Sequence, residues 1–171
     1  MNEFVATIKS AFDEYLDEVK KAIDGVSKPE AYSQPAPDSN HIAWIVWHMA
    51  RVEDYWINGV LRGAGQVWNR GGWDEKFGMD PEDRGAGQTI EQVRAMPQVD
   101  LSDLVGYFDA VRSESGPAIE NLDEETLAQE IEHPRFGTIT GRWLVGHIIV
   151  EESQHTGQIA LIRGMIRGFG K

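Results

Sequence analysis

The chain contains no cysteine, which excludes a disulfide framework, a cysteine-ligated zinc and a thiol nucleophile supplied by the protein itself. Any sulfur chemistry has to arrive with a ligand. Basic residues are scarce: 16 Lys and Arg stand against 28 Asp and Glu, a formal net charge of −12 at pH 7. Such a field repels phosphate backbones and anionic lipid surfaces, so neither nucleic acid nor a membrane is expected as a partner. Long apolar runs are missing too, since the longest strongly apolar one, Ile42 to Trp47, falls far short of a bilayer span. The N-terminus is acidic from Glu3 onward, with no basic region and no cleavage-site pattern. A cytoplasmic protein is expected.

What is present is an ordinary globular composition, 41% hydrophobic and 26% charged over 171 residues, enough for one domain, 1–171, with a real core. From Asn2 to Gly25 the residues Phe4, Val5, Ile8, Phe12, Tyr15, Leu16, Val19 and Ile23 recur every three or four positions, the signature of an amphipathic helix. Ser27 to Ser39 carries Pro29, Pro35 and Pro37 and reads as a loop. Asp38 or Ser39 is expected to cap a second helix, Asn40 to Arg62, with Trp44, Ile45, His48, Val52 and Tyr55 on one side. Ala64 to Val99 is glycine-rich yet holds Trp68, Trp73 and Phe77, too many large apolar groups for a disordered linker. It reads as a long ordered connection with a short helix after Thr89.

A third helix is expected from Asp100 or Ser102 toward Leu122, ended or kinked by Gly116-Pro117. Asp123 to Glu130 reads as a short helical segment, and His133 to Thr140 as a loop or one edge strand. Thr138 or Thr140 opens the last helix, which runs to about Arg167. Four long helices without period-2 strands predict an all-α four-helix bundle.

At about 100° per residue, Leu144, Ile148, Ile159, Ile162 and Ile166 fall within about 40° of His155. His155 therefore sits on the core stripe, and Glu151 lies on it one turn earlier. Glu152 falls toward the other flank, so phase selects Glu151 as the inward carboxylate. On the second helix, His48 lies among Trp44, Val52 and Tyr55 and also points inward. Inward carboxylates and imidazoles are costly to bury unless paired or metal-bound, and bundles assemble metal sites from facing helices. His48, Glu151 and His155 would supply two nitrogens and a carboxylate, a set that serves zinc and non-haem iron alike. The same residues also admit a plain reading, in which His48 is a satisfied core group and Glu151–His155 a simple hydrogen bond.

The segments around these residues, Asn40-His-Ile-Ala-Trp-Ile-Val-Trp-His48-Met-Ala-Arg-Val-Glu-Asp-Tyr-Trp56 and Gly146-His-Ile-Ile-Val-Glu151-Glu-Ser-Gln-His155-Thr-Gly-Gln-Ile159, resemble the DinB-like (DinB/YfiT) superfamily of metalloenzymes over nearly the whole chain. The stretches Gly72-Trp-Asp-Glu-Lys-Phe-Gly-Met-Asp-Pro81 and Gly85-Ala-Gly-Gln-Thr89 are similar to a loop of its actinobacterial members. The resemblance implies a four-helix bundle in which a His of the second helix and two residues one turn apart on the last helix bind a divalent metal. His48, Glu151 and His155 occupy those places. It points first to zinc, with nickel as an alternative; the donor set itself also admits iron. Many members carry His where this chain has Glu151, whereas the mycothiol-dependent branch carries Glu.

The implied activity is therefore metal-dependent transfer of a low-molecular-weight thiol, mycothiol or bacillithiol, onto an electrophilic small molecule. The alternative is a non-catalytic stress-response or ligand-binding bundle with a structural or vestigial metal site. His147 and Glu152 are the candidate catalytic bases, on proximity alone. Arg163, with Arg167, is a candidate clamp for an acidic thiol or substrate, against the commoner role of complementing a helix C-terminus. Trp44 and Trp56 are candidate pocket walls. His41 is expected in the core or near the pocket mouth, and His133 in an exposed loop. Gly146, Ser153, Gly157, Ala160 and Gly164 form a column of small residues that invites close approach by another helix, of this chain or of a second copy in a homodimer.

Overall fold

The computed structural model describes residues 3–168. Helix α1 (Glu3–Ile23) turns Val5, Ile8, Phe12, Tyr15, Leu16, Val19 and Ile23 inward, as the periodicity requires, and Gly25 leaves it at φ +68. The proline-bearing stretch that follows is not all loop. The Glu30 carboxylate accepts from the Ser27 N–H at 2.7 Å, and this capping interaction starts the one-turn α2 (Lys28–Ala31).

Helix α3 (Ile42–Glu53) is buried along its whole length. Its cap is neither Asp38 nor Ser39 but His41, whose Nδ1 accepts from the Trp44 N–H at 3.1 Å. The backbone then widens into π-helical turns over Asp54–Leu61, a form that recurs beside functional sites.

The long connection carries α4 (Val67–Arg70), α5 (Trp73–Phe77) and α6 (Ile90–Arg94). Only the last, capped by Thr89, is anticipated by the sequence; the other two are too short to show periodicity. Two buried charges at the end of α3 order this segment. The Asp54 carboxylate accepts from the backbone N–H groups of Val67 at 2.9 Å and Trp68 at 2.8 Å and from the Tyr107 hydroxyl at 2.9 Å. Arg51 lies 4.7 Å over the Trp68 ring and donates to the Asp83 carbonyl at 3.0 Å. These bonds replace the water that a surface loop would otherwise use.

Helix α7 (Leu101–Glu120) does not stop at Gly116-Pro117; Pro117 lies inside its last turn. Proline there removes one helical bond, and Ser115 and Ile119, buried on either side of it, keep the turn against the core, so packing outweighs the local penalty of about 3 kcal/mol. Helix α8 (Glu124–Ala128) precedes β1 (Glu130–His133) and β2 (Gly137–Thr140). The expected loop or single strand is thus a complete antiparallel hairpin, with Ile131 opposite Ile139 and His133 opposite Gly137. Both isoleucines are buried, and Gly137 at φ +69 closes the three-residue turn.

Helix α9 (Gly141–Arg167), capped by Thr140, completes an all-α bundle. Helix α1 packs on α7 and α9, and α3 on the same two, so α1 and α3 stand across the core from each other. Among the described residues, nothing lies within 4 Å of a Cβ placed at Gly146, Gly157 or Gly164 of the small-residue column of α9. Among the described residues, no helix is long and apolar enough to cross a membrane.

Candidate metal centre and adjoining cleft

Where α3 meets α9, His48, Glu151 and His155 each bring a ligand atom within 4.8 Å of the others, a cluster that could hold a metal ion. His48 Nε2 lies 3.7 Å from Glu151 Oε1, and the two imidazoles stand edge to face with ring centroids 5.1 Å apart. The second nitrogen of each ring is committed elsewhere. His48 Nδ1 faces the Arg84 carbonyl, which can only accept, so Nδ1 carries the proton and the lone pair is on Nε2. His155 Nδ1 pairs with Gln158 Oε1 at 3.0 Å, leaving Nε2 free in the same way. A carbonyl or amide that fixes the tautomer of a ligating histidine is the usual support of such sites, so the donor set fits a divalent ion with two neutral nitrogens and one carboxylate.

The support of His48 is built by the long connection. Trp44 stacks on its ring at 4.8 Å and 17° and donates from Nε1 to Gln88 Oε1 at 2.7 Å. Gln88 in turn bonds Asp83, whose other oxygen accepts from the Gly85 N–H at 2.8 Å. Gly85 has φ +82, and a Cβ there would lie 2.8 Å from Trp44 Cζ2 and 2.9 Å from His48 Nδ1. Only glycine allows the backbone so close to the imidazole. Trp44 therefore braces His48, and it is not among the residues that line the adjoining cleft.

An open cleft of about 210 Å³ adjoins the cluster. His48 and Glu151 lie at one side, and the π-helical segment supplies Tyr55 and Trp56. His133 is not an exposed loop residue. It ends β1, stacks on Trp56 at 4.8 Å and 11°, and accepts at Nδ1 from the N–H groups of Arg135 and Phe136 at 3.0 and 3.2 Å. His147 also lines the cleft. Its ring stacks on Trp143 at 4.5 Å, and its Nε2 is 3.7 Å from Glu151 Oε2.

Charge follows this geometry. Burial alone would raise the Glu151 carboxyl, but the adjacent imidazoles, His48 first and then His155 and His147, hold it below the ordinary range. Burial lowers the His155 imidazole, and nearby His48 adds to that. The cluster thus combines an anionic carboxylate with an imidazole biased to the neutral, ligating form.

Two candidates fall elsewhere. Glu152 is not turned toward the flank; it is fully buried, and among the described residues both carboxylate oxygens lack a hydrogen-bond partner. The bundle axis lies between Ile148 and Glu152, about 30° from where His155 alone would put it. This leaves Glu151 and His155 half-buried at the border and sends Glu152 inward. Burial, then the charges of Glu53 and Glu151, raise its carboxyl well above the ordinary range. It is not among the residues that line the cleft. Arg163 reaches the C-terminus of α1 and donates to the carbonyls of Lys21 and Ala22 at 2.8 and 3.1 Å. It complements the end of α1 and is not among the residues that line the cleft. His41 is in the core as the α3 cap.

Sequence reasoning missed Asp83, Arg84 and Gly85 as supports of His48, and Arg135 and Phe136 as cleft residues. The glycines beside Arg84 were the one available signal.

No curated protein matches the chain. The fold matches the crystal structure of a conserved protein from Enterococcus faecalis with a TM-score of 0.87 and 22% identity, over 98% of this chain and 99% of that one. The family model of the DinB superfamily matches residues 11–159, a span that takes in α3, the long connection and the ligand-bearing part of α9, and by that match the chain belongs to the DinB superfamily.

Proposed function

We propose that this protein is a divalent-metal-dependent transferase that joins a low-molecular-weight thiol, of the mycothiol or bacillithiol type, to an electrophilic small molecule. The observation that carries the reading is the cluster itself. Two imidazoles whose Nδ1 atoms are already occupied, and one anionic carboxylate, meet beside an open cleft in a chain that has no thiol of its own. A divalent ion held by His48, Glu151 and His155, proposed as zinc, would lower the pKa of an incoming thiol so that the thiolate is present at neutral pH.

The chain's own residues do the remainder. His48 and His155 are held with their Nε2 lone pairs available, and three protein ligands leave room for an exogenous donor. His147, beside Glu151 on the cleft wall, is positioned to take the thiol proton. Trp56, Phe136 and Tyr55 offer an apolar seat for the electrophile. Glu152 takes no part in this chemistry.

The test is metal content per chain, by mass spectrometry on protein purified without a nickel column, for wild type and Glu151→Ala. About one equivalent in the wild type, lost in the variant, is expected. Transfer of mycothiol or bacillithiol to a generic electrophile should then be abolished in His48→Ala. Metal at full stoichiometry with no transfer of any thiol would leave a binding bundle instead.

A further inference from the structure

Nearly all arginines of this acidic chain are paired with carboxylates or, for Arg163, with carbonyls at a helix end. Two are not. Among the described residues, the side chains of Arg84 and Arg135 have no carboxylate or hydrogen-bond partner, and both line the cleft beside the metal cluster. Each lies over an aromatic face: Arg84 is 3.5 Å from the Tyr55 ring centroid and Arg135 is 5.2 Å from that of Phe136.

Their placement is built by the fold. Arg84 is the residue whose carbonyl fixes His48, so its backbone cannot drift from the cluster. The Arg135 turn is held by His133 Nδ1, and His133 is itself stacked on Trp56. Leaving guanidinium donors unpaired in a protein with net charge −12 is a departure from its own pattern, and aromatic stacking leaves their in-plane N–H groups free for an oxyanion. Among the described residues, Glu151 is the one carboxylate lining the cleft. On the reading above its charge is offset by the ion it helps to hold.

We infer that the cleft selects an electrophile with a flat apolar body and a carboxylate, the carboxylate held by Arg84 and Arg135 and the flat body lying along Trp56 and Phe136. That the ligand is an electrophile rests on the proposed function; anion selection by the two arginines stands without it. The arrangement would fix one end of the substrate at the arginines and leave its reactive carbon toward His48 and Glu151, which is orientation and not chemistry.

The experiment is calorimetric titration of the zinc-loaded protein with trans-cinnamate and, as the uncharged isostere, cinnamamide. Wild type should bind cinnamate at least about tenfold more tightly than the amide. Arg84→Gln/Arg135→Gln should remove that preference, leave the cinnamamide affinity unchanged and retain one zinc per chain. The single variant Arg135→Gln, on an exposed hairpin turn, should lose part of the preference without risk to the fold. Equal binding of acid and amide by wild type, or an undiminished preference in the double variant, would overturn the inference; the latter would mean that the ion itself takes the carboxylate. Zinc content separates the two claims. A wild type without zinc that still prefers cinnamate through the arginines overturns the metal-dependent function and sustains the anion site.

Discussion

The Nδ1–H of His48 points at the carbonyl of Arg84, a residue 36 positions along the chain, and this one contact joins the long connection to the metal cluster. It exists because Gly85 lets the backbone lie against the imidazole. Gly85→Ala places a Cβ 2.9 Å from His48 Nδ1 at a φ of +82, so the carbonyl must withdraw. Zinc affinity is expected to fall about 10- to 100-fold, as for loss of other partners of ligating histidines, at a stability cost of about 1–3 kcal/mol. Competition with a chromogenic chelator and a circular-dichroism melt measure both; zinc affinity equal to wild type would show that the Arg84 carbonyl does not support the site.

A ligand that binds only the folded protein raises its melting temperature by mass action. Saturating zinc should therefore raise the melting temperature of wild type and leave that of His155→Ala unchanged. A zinc-induced rise of equal size in both proteins, read by differential scanning fluorimetry, would remove His155 from the ligand set.

Deeper in the bundle, the buried Glu53 carboxylate takes Arg112 Nε and Nη2 at 2.9 and 2.8 Å, the Tyr15 hydroxyl at 2.6 Å and the Ser115 hydroxyl. Arg112→Ala strands this charge next to Glu152, which already has no partner. Breaking a buried pair from one side costs about 3–5 kcal/mol. Urea unfolding should show a loss of that order, whereas a change under about 1 kcal/mol would mean that water reaches Glu53.

His41 gives a pH dependence of definite sign. Burial pushes its imidazole below the ordinary value, partly offset by the carbonyls of Val93 and Ala31, and Nδ1 must stay unprotonated to cap α3. Its contribution is present above the unfolded-state pKa, about 6.5, and is lost as pH falls through the lower folded-state value. Between pH 7 and pH 5 the melting temperature of wild type should drop by more than that of His41→Asn, in which an amide oxygen can cap without titrating. Parallel curves for the two proteins would assign the acid sensitivity to other groups.

Much of this was legible in the sequence, and the rest was hidden for identifiable reasons. The four long helices follow from 3.6-residue apolar spacing, and that spacing alone puts His48, Glu151 and His155 on facing stripes; the absent cysteine settles that any thiol comes from outside. Glu152 could not be placed this way, because phase gives angles within one helix while the direction of the core is set by the neighbours that α9 meets. The β1–β2 hairpin and the three short helices α2, α4 and α5 are too brief to carry a period. His133 looked like a loop residue for that reason, although the hairpin presses it onto Trp56. The contact of His48 with Arg84, and the presence of Arg84 and Arg135 in the lining of one cleft, join segments far apart in the chain, and no local pattern encodes such a distance. The sequence by itself determined which side chains face inward along each helix. Only the tertiary structure decided which of them meet, because that depends on helix packing and on a connection that Asp54, Arg51 and Gly85 hold in place.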